Sequence, residues 1–212
     1  MRFDDRRQAG ALLGQRLVEL APTNPVVYAL PRGGVPVGFE VARALRCPLD
    51  VMVVRKVGVP YQPELAMGAV SEGGVVVRNQ EVLDIAGIPE RVFAEVARRE
   101  LAEVERRVAA YRGRSAPIDP TGHTAIVVDD GLATGSTALA AVEVLRQKGA
   151  SAVWLAVPVA PAGPLGELES KTDRIVVLSR PSMFGAVGAW YRDFSQISDQ
   201  EVRDLLAASR LA

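Results

Sequence analysis

Cysteine occurs once, at Cys47, and histidine once, at His123. A single thiol excludes an intrachain disulfide framework and suits a reducing compartment. Charge of one sign is not in excess: 25 basic residues face 25 acidic ones. A protein built to grip duplex nucleic acid would carry a basic surplus, so no nucleic-acid partner is expected. No apolar run approaches the roughly 20 residues that cross a bilayer. The start, Met1-Arg2-Phe3-Asp4-Asp5-Arg6-Arg7, is charged and lacks the apolar stretch of a signal peptide. These absences predict a cytoplasmic protein with no membrane partner.

What is present is a chain of 212 residues, 49% of them apolar, enough for one domain with a real core. Short β-branched runs, Gly-rich turns and helical patterns alternate. That rhythm predicts an α/β fold, Rossmann-like, with a mainly parallel sheet flanked by helices. Ala9, Leu13, Leu17 and Leu20 share one face of a helix from about Asp5 to Leu20. Val26–Leu30 reads as a buried strand, followed by the turn Pro31-Arg32-Gly33-Gly34-Val35-Pro36 and a helix to about Leu45. Leu49–Val54 reads as a second buried strand. From Arg55 to about Pro89 the chain is rich in Gly and Pro, with strand candidates at Ala66–Val70 and Val75–Val77, and is read as a hairpin-like excursion that could act as a lid.

A helix is expected from Pro89 to about Arg112, with a stripe of Phe93, Ala97, Leu101, Val104, Val108 and Tyr111. Glu95/Arg99 and Glu103/Arg107 form i,i+4 pairs on its solvated face. Arg98, Arg99, Arg106 and Arg107 could make a basic face, but the intervening glutamates argue against it. Further strands are expected at Ala125–Val128, Ala152–Val159 and Ile175–Leu178, and a helix from Thr137 to Lys148 that stops at Gly149. A last helix opens on the capping box Ser198-Asp199-Gln200-Glu201. The expected organisation is a single domain over 1–212. Its core spans about 26–180, its lid and helical excursion about 55–113, and a hood candidate about 181–196.

The chemistry concentrates after the strand Ala125–Val128. Two adjacent acids, Asp129 and Asp130, are followed by Gly131, Leu132, Ala133, Thr134, Gly135, Ser136 and Thr137, and then a helix. Backbone N–H groups at a helix start, unobstructed by bulky side chains, form a phosphate cradle. Carboxylates would repel phosphate, so the acids suit sugar hydroxyls or a divalent cation. A phosphate beside a pair of sugar hydroxyls describes a ribose 5-phosphate. A Walker A loop would need a lysine after Gly135, and a G-x-G-x-x-G fingerprint is absent here. A merely capped turn explains the hydroxyls but not the two acids.

Val127-Val128-Asp129-Asp130 through Thr137 resembles the signature of type I phosphoribosyltransferases that binds phosphoribosyl pyrophosphate (PRPP). The order of elements agrees over about residues 26–180. The whole chain looks like an uncharacterised subgroup with a PRGGVP turn and a DDGLATG loop. The resemblance implies that Asp129 and Asp130 contact the ribose hydroxyls and Mg²⁺, directly or through water. It implies that Ala133, Thr134, Gly135, Ser136 and Thr137 hold the 5-phosphate. Enzymes of this family acting on 6-oxopurines usually carry a third Asp where this chain has Ala133, which makes the loop more adenine-like.

A departing pyrophosphate needs cations. Arg32, Gly33 and Gly34 follow the first buried strand at the carboxyl edge of the sheet, where open α/β sheets bind ligands. In the resembled family this turn binds pyrophosphate and often has an unusual peptide geometry. Arg55 and Lys56 are placed at the end of the second strand, on the same edge, although strand-end basic pairs also occur on plain surfaces. Glu64 could touch ligand from the lid or simply pack. The implied reaction is displacement at the ribose anomeric carbon, with Asp129, Asp130, Arg32 and Lys56 as the catalytic set and Mg²⁺ as cofactor. No general base stands out; His123 reads as a turn residue.

Phe184, Trp190, Tyr191 and Phe194 concentrate aromatics in a chain with only 5%. They could stack on an acceptor base as a hood, or pack the C-terminal helix onto the core. The expected partners are PRPP and a small nitrogenous, nucleobase-like acceptor, with room for a homo-oligomer. A non-catalytic PRPP- or nucleotide-binding regulator on the same fold stays open as the alternative.

Overall fold

The computed structural model describes residues 1–113 and 115–210, with Glu64 described in its backbone alone. The chain runs α1 (Arg6–Glu19), β1 (Pro25–Ala29), α2 (Gly34–Leu45), β2 (Leu49–Val51), β3 (Val54–Val59), β4 (Gln62–Ser71), β5 (Val75–Arg78), α3 (Gln80–Ile85), α4 (Glu90–Arg112), β6 (Thr124–Val128), α5 (Ser136–Gln147), β7 (Ala152–Val159), α6 (Glu167–Lys171), β8 (Arg174–Ser179) and α7 (Asp199–Ser209). One-turn 3₁₀ segments lie at Glu72–Gly74 and Val187–Trp190.

Five strands form a parallel sheet in the order β2-β1-β6-β7-β8. Both faces are covered, so its strands read as continuous apolar runs rather than alternating ones. Val27, Ala29, Ile126 and Val128 face the side packed by α1, α2 and α7. Val26, Tyr28, Ala125 and Val127 face α5. The fold class is therefore the α/β, mainly parallel architecture read from the alternation of elements.

Several element boundaries follow their local chemistry. Asp5 caps α1 by accepting the Gln8 N–H at 2.8 Å, and Ser198 caps α7 by accepting the Glu201 N–H at 3.1 Å. After α5 the Ala150 N–H reaches Leu145 O at 3.1 Å across Gly149, whose φ is +86°, a Schellman-type stop. Helix α1 lies against α2 through Gly10 and Gly14. A Cβ there would sit 2.7 Å from Val37 O and 2.7 Å from Ala44 Cβ respectively. That close contact carries the first turn of α1 to the carboxyl edge of the sheet.

The run Leu49–Val54, expected as one strand, is divided. β2 ends at Val51, and β3 begins at Val54 in a separate three-stranded antiparallel sheet ordered β3-β4-β5. Met52 N–H still bonds Ala29 O at 2.9 Å, but the Val53 carbonyl is taken by Ser71 Oγ at 2.9 Å, so the chain changes sheets between them. Uniform hydrophobicity does not mark such a change. The excursion is thus a small sheet with α3 attached, not a single hairpin. Register shifts around Gly58 blur its period-two pattern. This sheet packs between α4 and α5. On α4, Phe93, Ala97, Val104 and Tyr111 are buried, and Glu103 lies 2.7 Å from Arg107. Arg99 turns toward Glu100, at 3.5 Å, rather than pairing as expected with Glu95.

A buried charge cluster joins the two sheets. Arg112, at the end of α4, donates to Asp50 Oδ1 on β2 at 2.9 Å, to Glu72 Oε1 at 2.9 Å and to Val51 O at 3.0 Å. Asp50 Oδ2 accepts the Ile118 N–H at 2.9 Å, and Tyr28 Oη donates to Ile118 O at 2.9 Å. The Arg112 and Asp50 side chains are each 2% exposed. Such charges are tolerated only when paired and hydrogen-bonded. Arg112→Ala, which strands both carboxylates, is expected to cost about 3–5 kcal/mol in urea unfolding. A loss below about 1 kcal/mol would contradict this account of the junction.

Candidate functional site

In the strand order β2-β1-β6-β7-β8 the chain runs outward from β1 to β2 and re-enters the sheet on the other side at β6. Open α/β sheets bind ligands outside the carboxyl ends of strands where the winding reverses in this way. Two loops occupy that place, Leu30–Gly33 after β1 and Asp129–Gly135 after β6. They touch. A Cβ on Gly33 would fall 2.0 Å from Asp130 Oδ2, and one on Gly34 would fall 2.6 Å from Val128 O and 2.9 Å from Asp129 Cα. Leu30 N–H bonds Val128 O at 2.8 Å, which locks the loop bases together. The Pro31–Arg32 peptide is cis.

The second loop ends in an open N-terminus of α5. Gly135 takes φ +76°, a left-handed conformation that suits glycine, and its carbonyl accepts the Leu139 N–H at 2.8 Å to begin the helix. Thr134 Oγ1 and Ser136 Oγ lie 3.0 Å apart, so both hydroxyls face one spot. Ala133, Thr134 and Thr137 are exposed, and Gly135 and Ser136 are half-buried. The first N–H groups of a helix lack intrahelical partners and carry partial positive charge. Five consecutive small residues leave them accessible to an anion.

Behind this cradle stand the acids. Asp129 accepts the Asp130 N–H at 2.8 Å. Burial, with the neighbouring Asp130 charge, pushes the Asp129 carboxyl well above the usual carboxylate range. Asp130 Oδ2 accepts from Arg6 Nε at 2.8 Å, and its backbone carbonyl accepts from Tyr191 Oη at 2.5 Å. Arg6 is buried, a contact that sequence reading missed. One signal was available: basic residues at the first two positions of α1 oppose the helix dipole, which implies a commitment elsewhere.

The predicted cations divide. Arg32 is half-buried, 3.6 Å from Asp199 at the start of α7. Arg55 and Lys56 do not end the second strand of the main sheet as expected; they lie inside β3 of the small sheet. Arg55 is ion-paired with Glu100 on α4. Lys56 lines a cavity of about 310 Å³ together with Thr134, Gly135 and Ser136. The small sheet thus brings Lys56 to the flank of the cradle. The Glu64 side chain lies outside the described residues.

The four hood aromatics separate into pairs. Trp190 Nε1 donates to Phe184 O at 2.9 Å, within their own segment. Tyr191 is buried between Phe3 and Phe194, with ring centroids at 5.5 and 5.2 Å. Phe3 N–H bonds Trp190 O at 2.8 Å, so the segment packs on the N-terminus rather than on the C-terminal helix. Phe194 is 39% exposed and carries the Arg6 guanidinium 3.9 Å above its ring. His123 sits at the amino end of β6, opposite the site, with Nδ1 3.2 Å from Asn24 O. On α4, Arg106 and Arg107 both pair with Glu103, which breaks up the basic face.

Residues 6–194 match the family model described as the phosphoribosyl transferase domain. Two Mycobacterium tuberculosis proteins, from strains CDC 1551 and H37Rv and provisionally named phosphoribosyl transferases, are each 49% identical over 200 residues. That match takes in 94% of this chain, which spans 45% of the length of those relatives. The crystal structure of TT1426 from Thermus thermophilus superposes with a TM-score of 0.92 at 42% identity, covering 98% of this chain and 99% of that one. A Neisseria gonorrhoeae protein solved with bound ppGpp shares the fold, with a TM-score of 0.51 at 13% identity over 99% of each chain. Among the described residues no helix is long and apolar enough to cross a membrane.

The raised Asp129 carboxyl fixes the sign of a pH effect. A folded-state value above the unfolded one contributes stability at low pH that is lost as pH rises through the folded value. Asp129→Asn removes that loss and keeps an oxygen to accept the Asp130 N–H. The variant is expected to match wild type near pH 3.8, the ordinary aspartate value, and to become the more stable protein as pH rises. Thermal unfolding across pH checks it; a variant that is less stable at neutral pH would contradict it.

Proposed function

Because the chain belongs to the phosphoribosyl transferase domain family, we propose that it transfers the 5-phosphoribosyl group of PRPP to a nitrogenous, nucleobase-like acceptor, with release of pyrophosphate. The observation that carries this reading is the contact between the two loops. Gly33 abuts Asp130, and the open start of α5 lies on the same edge. One ligand with a phosphate, a diol and a second phosphate group can engage all three features at once. Ala133–Thr137 would take the 5-phosphate, Asp129 and Asp130 the ribose hydroxyls, and Arg32 with the Gly33–Gly34 backbone the pyrophosphate.

In the reaction so read, a nitrogen lone pair of the acceptor forms a bond to the anomeric carbon. The bond from that carbon to the pyrophosphate oxygen breaks, and its electron pair leaves with pyrophosphate. Positive character grows on the ribose ring as this happens. Asp130, and Asp129 once it has lost its proton, would stabilise that charge and hold the sugar in register. Arg32 and Lys56 would offset the negative charge of the leaving group, Lys56 reaching from β3. Acceptor nitrogens lose their proton to solvent or to the departing oxygens, since His123 lies at the far end of β6.

Among the described residues no cluster of three or more His, Cys, Asp or Glu could cage a metal ion. Magnesium needs none: it keeps several waters and takes one or two carboxylates with substrate phosphates. Asp129 and Asp130 fit that donor set, directly or through water. Magnesium held there would neutralise phosphate charge. Half-buried aromatics of the segment 181–196 would border the acceptor, with Phe194 the one that presents an exposed ring beside the acids. Burial pushes the single thiol, Cys47, up to about 11, which leaves it unreactive at neutral pH.

Two measurements test the reading. Pyrophosphate release from Mg²⁺·PRPP is expected with at least one member of a nucleobase panel; tight PRPP binding without turnover would point instead to a regulator. Arg32→Ala is expected to weaken PRPP binding about tenfold or more while shifting ribose 5-phosphate affinity less than about twofold. Equal losses on both ligands, read by calorimetry, would remove Arg32 from the pyrophosphate site.

A further inference from the structure

Arg6 joins three parts of the molecule that are distant in sequence. Its Nε donates to Asp130 Oδ2 at 2.8 Å, its second nitrogen donates to Ser195 O at 2.8 Å, and its guanidinium plane lies 3.9 Å over Phe194. The Ser195 carbonyl is itself held in a turn, with Ser195 N–H bonded to Asp193 Oδ1 at 2.9 Å. Tyr191, from the same segment, donates to the Asp130 carbonyl at 2.5 Å. The segment therefore grips Asp130 twice, once through its backbone and once through Arg6.

Stability alone gives little reason for this arrangement. A buried ion pair often contributes no more than apolar residues of the same volume, and a cation in the first turn of a helix opposes the dipole. What the pair does fix is direction. An ionised carboxylate has about four acceptor positions. Arg6 uses one on Oδ2, and the Gly33 backbone closes off the side where a Cβ would lie 2.0 Å away. The neighbouring Asp129 carboxyl, whose side chain also contacts Asp130, stands on the same edge. The Asp130 side chain is 14% exposed, and the Arg6 contact at 2.8 Å holds its Oδ2.

We propose that Arg6 is the positioning residue of the ribose site: it fixes the Asp130 carboxylate for the sugar hydroxyls, and Phe194 and Ser195 hold Arg6 in place. The aromatic segment then acts on the sugar through Arg6, in addition to any contact with an acceptor. This inference rests on the ribose role given to Asp130 above. It predicts that losing Arg6 harms recognition of the sugar and spares recognition of phosphate, because the cradle at Thr134–Thr137 does not touch Arg6.

The test uses ribose 5-phosphate and inorganic phosphate as probes, titrated into the full chain by calorimetry. Arg6→Gln is expected to weaken ribose 5-phosphate about tenfold, the size of a lost charge-assisted contact, with inorganic phosphate changed less than about twofold. Arg6→Lys, a point charge that cannot span Asp130 and Ser195, is expected to recover only part of the loss. In an Asp130→Asn background, Arg6→Gln is expected to add little, because Arg6 acts through that carboxylate. Should Arg6→Gln lower the thermal midpoint, Phe194→Leu carries the same comparison, with a loss of about threefold expected for the sugar phosphate alone. Unchanged ribose 5-phosphate affinity, equal losses on both probes, or additive effects with Asp130→Asn would overturn the proposal. A wild-type protein that binds neither probe would overturn the ribose-site reading as well.

Discussion

Two glycines set how near the loops after β1 and β6 can come. Gly33 leaves space for the Asp130 carboxylate, and Gly34 lets the start of α2 lie on the backbone of Val128 and Asp129. Any side chain at Gly33 would displace an acid. The parallel pairing of β1 with β6 makes the approach unavoidable, since both strands end at the same level with Ala29 opposite Val128. The cradle, the acids and Arg32 are arranged around this contact. A ligand that bridges the two loops meets groups already in place, which limits the ordering cost of binding.

Charge at this edge is largely balanced within the chain. Arg6 meets Asp130, and Arg32 lies near Asp199. These pairs differ in kind. Arg32 and Asp199 are partly exposed and 3.6 Å apart, a pairing that water screens. Arg6 and Asp130 are nearly enclosed, and separating them would strand a charge. Asp129 is pushed toward its protonated form by burial and by its neighbour in the free protein.

The sequence made the main sheet legible because parallel strands buried on both faces read as unbroken apolar runs, and the last helix because the cap Ser198 marks its start in local chemistry. The candidate cradle and acid pair could be proposed from sequence for the same reason: all their parts are contiguous from Asp129 to Thr137. What depends on contacts between distant residues was not. The change of sheet between Met52 and Val53 is decided by Ser71, on another strand. Arg55 and Lys56 were placed on the wrong sheet in consequence. The buried union of Arg112 with Asp50 and Glu72 looks, in sequence, like three ordinary surface charges. Arg6 looked the same, and only its position against the helix dipole hinted otherwise.

The most direct measurement of the central claim is a crystal structure of the full chain with Mg²⁺ and PRPP. The account predicts the 5-phosphate against the backbone N–H groups of Thr134–Thr137, the ribose hydroxyls at Asp129 and Asp130, and the pyrophosphate beside Arg32 and Gly33. Density for the sugar phosphate in any other cleft, with the space between the two loops empty, would contradict it.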